Sequence, residues 1–159
     1  MKITVICVGK LKERHWKEAC QDYLLRLRPY CQMELIELAD EPIVENASPA
    51  QEEAVKNKEG KKILSKLPQG AYVVSFDGHG KEVDSPGFAA FLESGFVRGG
   101  SHIVFLIGGS LGLSEEVKQK ADASIRFGAM TFPHNLARVM ALEQIYRAFR
   151  ILRHEPYHK

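Results

Sequence analysis

The sequence predicts an α/β fold, a mostly parallel sheet sandwiched by helices. Three observations predict it. Strand-like runs recur along the chain at intervals suited to helices. The runs are largely continuous in apolar character, which suits strands covered on both faces. The segments between them carry apolar residues at helical spacing. The order is βαβαβαβαβα. No repeat, low-complexity tract or second core is visible, so residues 1–159 are expected to form a single domain.

Each element has its own signal. Ile3–Val8 is a near-continuous apolar run, and Met33–Leu38 alternates more. Ala71–Phe76 and His102–Ile107 are rich in β-branched and aromatic residues, and Ser124–Phe127 is a weaker fifth strand. Arg14–Leu27 places Trp16, Ala19, Cys20, Tyr23, Leu24 and Leu27 on one helical stripe. Pro49–Lys66 reads as a second helix, with Ser48 to cap it and Pro49 at its first position. Ala39–Ala47 is acidic, contains a proline, and is expected to be a mobile surface loop. Ser85–Leu92 and Ser114–Ala121 are short helices. Leu136–Leu152 is the longest helix and is apolar around most of its circumference. One sheet face buries about one stripe of a helix, so the remainder calls for a second copy in a twofold dimer.

Composition narrows the class. The chain is 45% hydrophobic and 26% charged, as a soluble globular protein is. No apolar stretch approaches the ~18 residues that span a bilayer, so no membrane role is expected. The opening MKITVICVGKLKE mimics a short signal peptide. It lacks a small-residue cleavage site, and Lys10 and Lys12 break the run, which favours a buried first strand. Cys7, Cys20 and Cys31 are odd in number and unpaired by spacing, which fits reduced thiols in the cytoplasm. His154 and His158 are interrupted by Pro156 and joined by no cysteine pair, so no metal site is expected.

The net charge of +2 conceals an asymmetry. Residues 1–31 carry seven Lys/Arg against three acids, and residues 126–159 carry six against two. The middle is acidic. A polyanion would meet the two ends if they lie together. Solvated helix faces explain the same charges.

Three loops follow strands in the later half: Asp77-Gly78-His79-Gly80, Gly108–Leu113 and Gly128–His134. Parallel sheets bind ligands at the carboxyl ends of strands. Gly108-Gly109-Ser110-Leu111-Gly112 matches G-x-S-x-G, the pattern of a nucleophilic serine on a strained elbow. A triad could be assembled from Ser110, Asp122 and His134. The pattern is weakened because Ser114, not Ser110, is the better helix cap, with Glu115 and Glu116 in the positively polarised first turn. The first strand–helix turn, Val8-Gly9-Lys10-Leu11, lacks G-x-G-x-x-G, and no P-loop lysine is present. A glycine loop remains that admits a ligand close to backbone N–H groups, or that is simply a turn. Phe127, Met130 and Phe132 supply apolar walls, Gly128 and Ala129 leave room for backbone contact, and Thr131 supplies a hydroxyl. This suits a nucleoside pocket; core packing is the other reading of the same aromatics.

"IGGSLGL", "FGAMTFPHNLARVMALEQIYRAF", the terminal "EPYHK" and the opening "MKITVICVGKLKE" together resemble the SPOUT superfamily of knotted methyltransferases. The likeness is closest to the small RlmH family, which methylates N3 of a pseudouridine in 23S rRNA, and it covers nearly the whole chain. The resemblance implies an α/β sheet whose C-terminal part forms a trefoil knot. It implies a homodimer, with S-adenosyl-L-methionine bent into the knot. Its cofactor contacts carry over to Phe76, Gly108, Gly109, Phe127, Gly128, Ala129, Met130, Thr131 and Phe132. Ser110 is then no nucleophile. Leu111 departs from the family pattern by adding bulk to the loop. The resemblance also implies that the Tyr157-His158 tail is part of the active site and reaches across the dimer.

The chemistry needs no metal, because the methyl donor is already activated and alignment is the main task. The imide N3 carries a proton at neutral pH, so a base or a stabiliser of the anion helps. Glu143, Arg147, His154, Tyr157 and His158 cluster near the end of the chain. Glu143 and Arg147, four apart, also make an ordinary helix ion pair. Tyr157 could stack on a flipped base. The expected substrate is 23S rRNA in the large subunit or the assembled ribosome. A catalytically inactive ribosome-binding factor on the same fold is the alternative.

Overall fold

The computed structural model describes residues 1–159. The elements are β1 (Lys2–Val8), α1 (Arg14–Leu27), β2 (Gln32–Leu38), α2 (Pro49–Leu64), β3 (Tyr72–Glu82), α3 (Ser85–Arg98), β4 (His102–Ile107), α4 (Glu115–Lys120), β5 (Ala123–Arg126) and α5 (His134–Leu152). The five strands form one sheet in the order β2-β1-β4-β3-β5. Every pairing is parallel.

Alternate residues of each central strand serve opposite faces, as the period of two requires. On β1, Ile3, Val5 and Cys7 enter the larger core, while Ile6 and Val8 enter the smaller. On β4, Ile103, Phe105 and Ile107 divide in the same way from Val104 and Leu106. Because both sets are apolar, the strands read as continuous runs. Leu142, Ile145 and Phe149 of α5 join the larger core with Cys20 and Leu27 of α1 and Phe88, Leu92 and Phe96 of α3. Ile63 of α2 and Val117 of α4 join the smaller.

Local signals place the helix starts. Ser48 caps α2 in a reciprocal box with Gln51: its hydroxyl accepts from the Gln51 N–H, and Gln51 Oε1 accepts from the Ser48 N–H at 2.8 Å. Ser114 caps α4 by accepting from the Val117 N–H. One buried cation ties the ends of three elements together. Arg138 of α5 has no exposed surface; it donates to Glu37 Oε1 at 3.1 Å and to the Gly9 carbonyl at 2.7 Å. No helix is long and apolar enough to cross a membrane.

Three expectations change. β3 does not stop at Phe76; it runs through Asp77-Gly78-His79-Gly80 to Glu82, with a register shift between Phe76 and Lys81. Gly80 permits this, because a Cβ there would lie 2.6 Å from the Ile125 backbone. The supposed loop is a bulged strand extension. α3 continues past Leu92 to Arg98, held by the burial of Gly95 and Phe96. α5 begins at His134, directly after Pro133.

Candidate active site

The segment after β4 is a closed turn. The Gly112 N–H donates to the Gly109 carbonyl at 3.0 Å, leaving Ser110 and Leu111 at the tip. Gly112 has φ +86°, a conformation that side chains resist. A Cβ on Gly108 would lie 2.6 Å from the Gly112 carbonyl carbon. Glycine at 108 is therefore required for the turn to close upon itself, as well as for any ligand above it. Gly109 is confined from below, where a Cβ would lie 2.8 Å from Glu59 Oε2.

Ser110 is exposed and forms no hydrogen bond with an acid or a histidine. Asp122 serves elsewhere: its Oδ2 accepts from the Val73 N–H at 2.8 Å, and its own N–H donates to the Val73 carbonyl at 2.7 Å. His134 packs over Gly9, and burial together with Arg138 lowers its pKa. The serine triad does not assemble.

The turn forms one side of a cleft of ≈ 840 Å³. Phe76, Gly108, Gly109 and all of Phe127–Phe132 line it. A glycine-rich turn and a glycine-bearing loop from separate parts of the chain thus meet around one space. Phe76 and Phe127 stack with ring centroids 4.5 Å apart and planes 9° apart. Met130 is 78% exposed at the rim. Flat apolar walls, an open backbone turn and a hydroxyl suit a nucleoside.

Asp77, named in the sequence only as part of a loop, contributes a carboxylate to this cleft. Its Oδ2 pairs with Lys118 Nζ at 3.1 Å, and its Oδ1 accepts from the His79 N–H at 3.2 Å. Burial pushes its pKa upward, but these partners outweigh burial and hold the carboxyl below its ordinary range. An acid immediately after the strand-end aromatic was the available signal. His134 and Ala137, from the first turn of α5, complete the wall.

A second cavity of ≈ 660 Å³ adjoins the first. The two share Phe76, Arg126 and Phe127. Glu143 and His158 face this second space, together with Tyr23 and Met140. Behind it lies a side-chain cluster. Arg147 holds Glu143 Oε1 through Nε at 3.0 Å and Nη2 at 2.5 Å. The Tyr157 hydroxyl donates to the same oxygen at 3.2 Å, and Gln144 Nε2 donates to Oε2 at 2.7 Å. The Arg147 guanidinium sits 4.6 Å from the Tyr157 ring centre. Burial, reinforced by Glu143, pushes Tyr157 up to about 12, so its hydroxyl stays protonated at neutral pH. The bond to Glu143 raises Arg147 further above its ordinary range.

Glu143, Arg147 and Tyr157 are thus brought together, with His158 at the cavity beside them. His154 is not: it is exposed, at φ +55°, and lines neither cavity. In the single chain the tail lies along its own α5 rather than reaching away. Arg150 pins it there by donating to the Pro156 carbonyl at 3.1 Å and pairing with Glu155 at 3.1 Å.

Comparison with known proteins agrees with this architecture. The family model described as "Predicted SPOUT methyltransferase" matches residues 1–158. The chain is 54% identical to ribosomal RNA large subunit methyltransferase H 1 of Clostridium perfringens, with all of both chains covered. It is 50% identical to ribosomal RNA large subunit methyltransferase H of Carboxydothermus hydrogenoformans, again over the whole of both. In fold it is similar to a solved structure described as a probable methylase family protein from Haemophilus influenzae. The TM-score is 0.56 at 12% identity, covering 99% of this chain and 70% of that one. With the glycine turn, the second glycine-bearing loop and the long last helix in one parallel-sheet fold, and a match from end to end, the chain belongs to the SPOUT methyltransferase family.

Proposed function

We propose that the chain is an S-adenosyl-L-methionine-dependent rRNA methyltransferase. Its target is N3 of a pseudouridine in 23S rRNA, within the large subunit or the assembled ribosome. One observation carries the reading: the glycine turn and Phe127–Phe132 enclose a nucleoside-sized cleft that shares a wall with a cavity holding Glu143 and His158. The full-length likeness to large-subunit methyltransferases supports it.

The cleft fits the donor. Phe76, Phe127 and Phe132 offer apolar faces to a purine, and the turn and Gly128–Ala129 offer backbone to its edges. Thr131 offers a hydroxyl. Asp77 offers an ionised carboxylate to ribose hydroxyls or an ammonium group. When bound there, S-adenosyl-L-methionine supplies a methyl group already activated by a sulfonium.

The chain's own residues orient the acceptor and manage its proton. Arg147, Tyr157 and Gln144 fix Glu143 in one orientation. Protonated Tyr157 and cationic Arg147 lie behind the cavity and act on the acceptor through Glu143. His158, at the cavity beside them, is the proposed proton acceptor.

The same reading gives one domain over 1–159, a C-terminal trefoil knot, a cytoplasmic setting and a homodimer. Leu136, Val139 and Met140 are only half-buried in the single chain, which leaves a stripe for a second copy. A dimer brings one chain's Lys10, Lys12, Arg14 and Lys17 near the other's Arg147, Arg150, Arg153 and Lys159. RNA binding then weakens with salt, each neutralised phosphate adding roughly 0.7–0.9 to the log–log slope. Calorimetry with S-adenosyl-L-methionine and methyl transfer to a short hairpin, naked 23S rRNA and intact ribosomes test the reading. Donor binding without transfer to any RNA would favour the ribosome-binding factor instead.

A further inference from the structure

Beneath the glycine turn lies a carboxylic acid that the proposed reaction does not use. Glu59 of α2 is 4% exposed, and its Oε2 is buried without a hydrogen-bond partner in the chain. A buried carboxyl oxygen without a partner is costly and calls for an explanation. Its position supplies one. A Cβ built on Gly109 would lie 2.8 Å from Glu59 Oε2 and 3.2 Å from Val8 Cγ1. The carboxyl thus touches the underside of the turn whose upper side faces the cleft. The next residue sets this distance. A Cβ on Gly60 would lie 2.3 Å from Ser114 Oγ, so only glycine lets α2 approach the end of the turn so closely.

We propose that Glu59 is a positioning residue that props the glycine turn from below and so sets donor affinity. The inference rests on the proposed function of the cleft. Burial favours the uncharged form of the prop. Burial raises the Glu59 carboxyl above its ordinary range, and Asp40 adds to this; the Glu41 backbone amide and Lys62 oppose it. Lys62 is itself paired with Glu41 at 2.7 Å, which weakens its hold on an ionised Glu59. A charged carboxylate in this site draws towards water and away from Gly109, and the turn loosens. Raising the pH through the Glu59 pKa therefore weakens donor binding.

The test compares wild type, Glu59→Gln and Glu59→Ala from pH 5.5 to 8.5, each with two readouts. The first is the amide NMR resonances of Gly109 and Gly112 in the ligand-free protein. They move with pH in wild type and stay fixed in Glu59→Gln, which holds the neutral shape. The second is affinity for S-adenosyl-L-methionine. In wild type it falls with rising pH relative to Glu59→Gln, by up to about tenfold per pH unit above the carboxyl's pKa. Glu59→Ala binds the donor about tenfold more weakly at every pH, with kcat at saturating donor nearly unchanged. Glycine resonances that titrate alike in wild type and Glu59→Gln would overturn the inference, whether or not Glu59→Ala folds. Titrating glycines in a protein that binds no S-adenosyl-L-methionine would leave the prop standing and defeat the functional reading instead.

Discussion

The two halves of the site are built from different materials. The cleft proposed for the donor is shaped by backbone between its aromatic walls: a turn closed by Gly112 on Gly109, and a loop that carries Gly128. The tail cluster is made of side chains, with Glu143 gripped by Arg147, Tyr157 and Gln144. A site made of backbone fails when atoms are added to it. A site made of side chains fails when atoms are taken away. The difference predicts which substitutions hurt, and which quantity each one changes.

The largest effect is expected at Gly108. In Gly108→Val the Cβ meets the Gly112 backbone at 2.6 Å, so the turn itself must move. Overpacking of this kind costs about 1–3 kcal/mol. Calorimetry should find no donor binding, and the melting temperature should fall. Unchanged affinity would mean that the cleft is not backbone-built in the way described.

Glu143→Gln should separate the two halves. Methyl transfer should drop by roughly 10²-fold, in the range set by a lost proton-handling arrangement. Donor affinity should stay near wild type, because Glu143 lines only the second cavity. A loss of donor affinity equal to the loss of rate would show that the halves are not separate.

Tyr157→Phe removes one hydrogen bond to Glu143 while keeping the ring against Arg147. A net loss of about 0.5–1.5 kcal/mol corresponds to roughly tenfold in kcat at most. Tyr157 holds its proton up to about 12, so the shape of the pH–rate profile below 10, the ordinary tyrosine value, should not change. A lost limb of the profile would make Tyr157 the base.

Ser110→Ala should do least. Ser110 sits exposed at the tip of the turn, and most methyl transfer should remain. A fall of several orders of magnitude would restore the nucleophile that G-x-S-x-G suggests.

The same contrast explains what the sequence disclosed. Arg14–Leu27 and His102–Ile107 were found with their observed limits, because periodicity and continuous apolar runs are local signals. The extension of β3 through Gly78 and Gly80 was hidden. Those residues read as a turn, and only the distant Ile125 backbone makes them strand. The glycine turn was visible as a motif, but the contact that requires Gly108 is with Gly112 in space. Asp77 lay within a recognised loop without standing out, because Lys118 and the bulged strand give it its place. Glu59 could not be picked from the charged residues of α2. Its neighbour Glu52 is exposed and Glu53 only half-buried, and only the approach that Gly60 allows sets Glu59 apart.

The central claim is that this cleft and this tail together deliver a methyl group to one imide nitrogen of the large-subunit RNA. Mass mapping of 23S rRNA tests it most directly. Ribosomes from cells lacking the protein are incubated with the purified chain and isotope-labelled S-adenosyl-L-methionine. A single labelled methyl group on N3 of one pseudouridine, absent when Glu143→Gln replaces wild type at the same short incubation, is the predicted result. Label on another atom, or no label on ribosomes, large subunits or naked RNA despite donor binding, would contradict it.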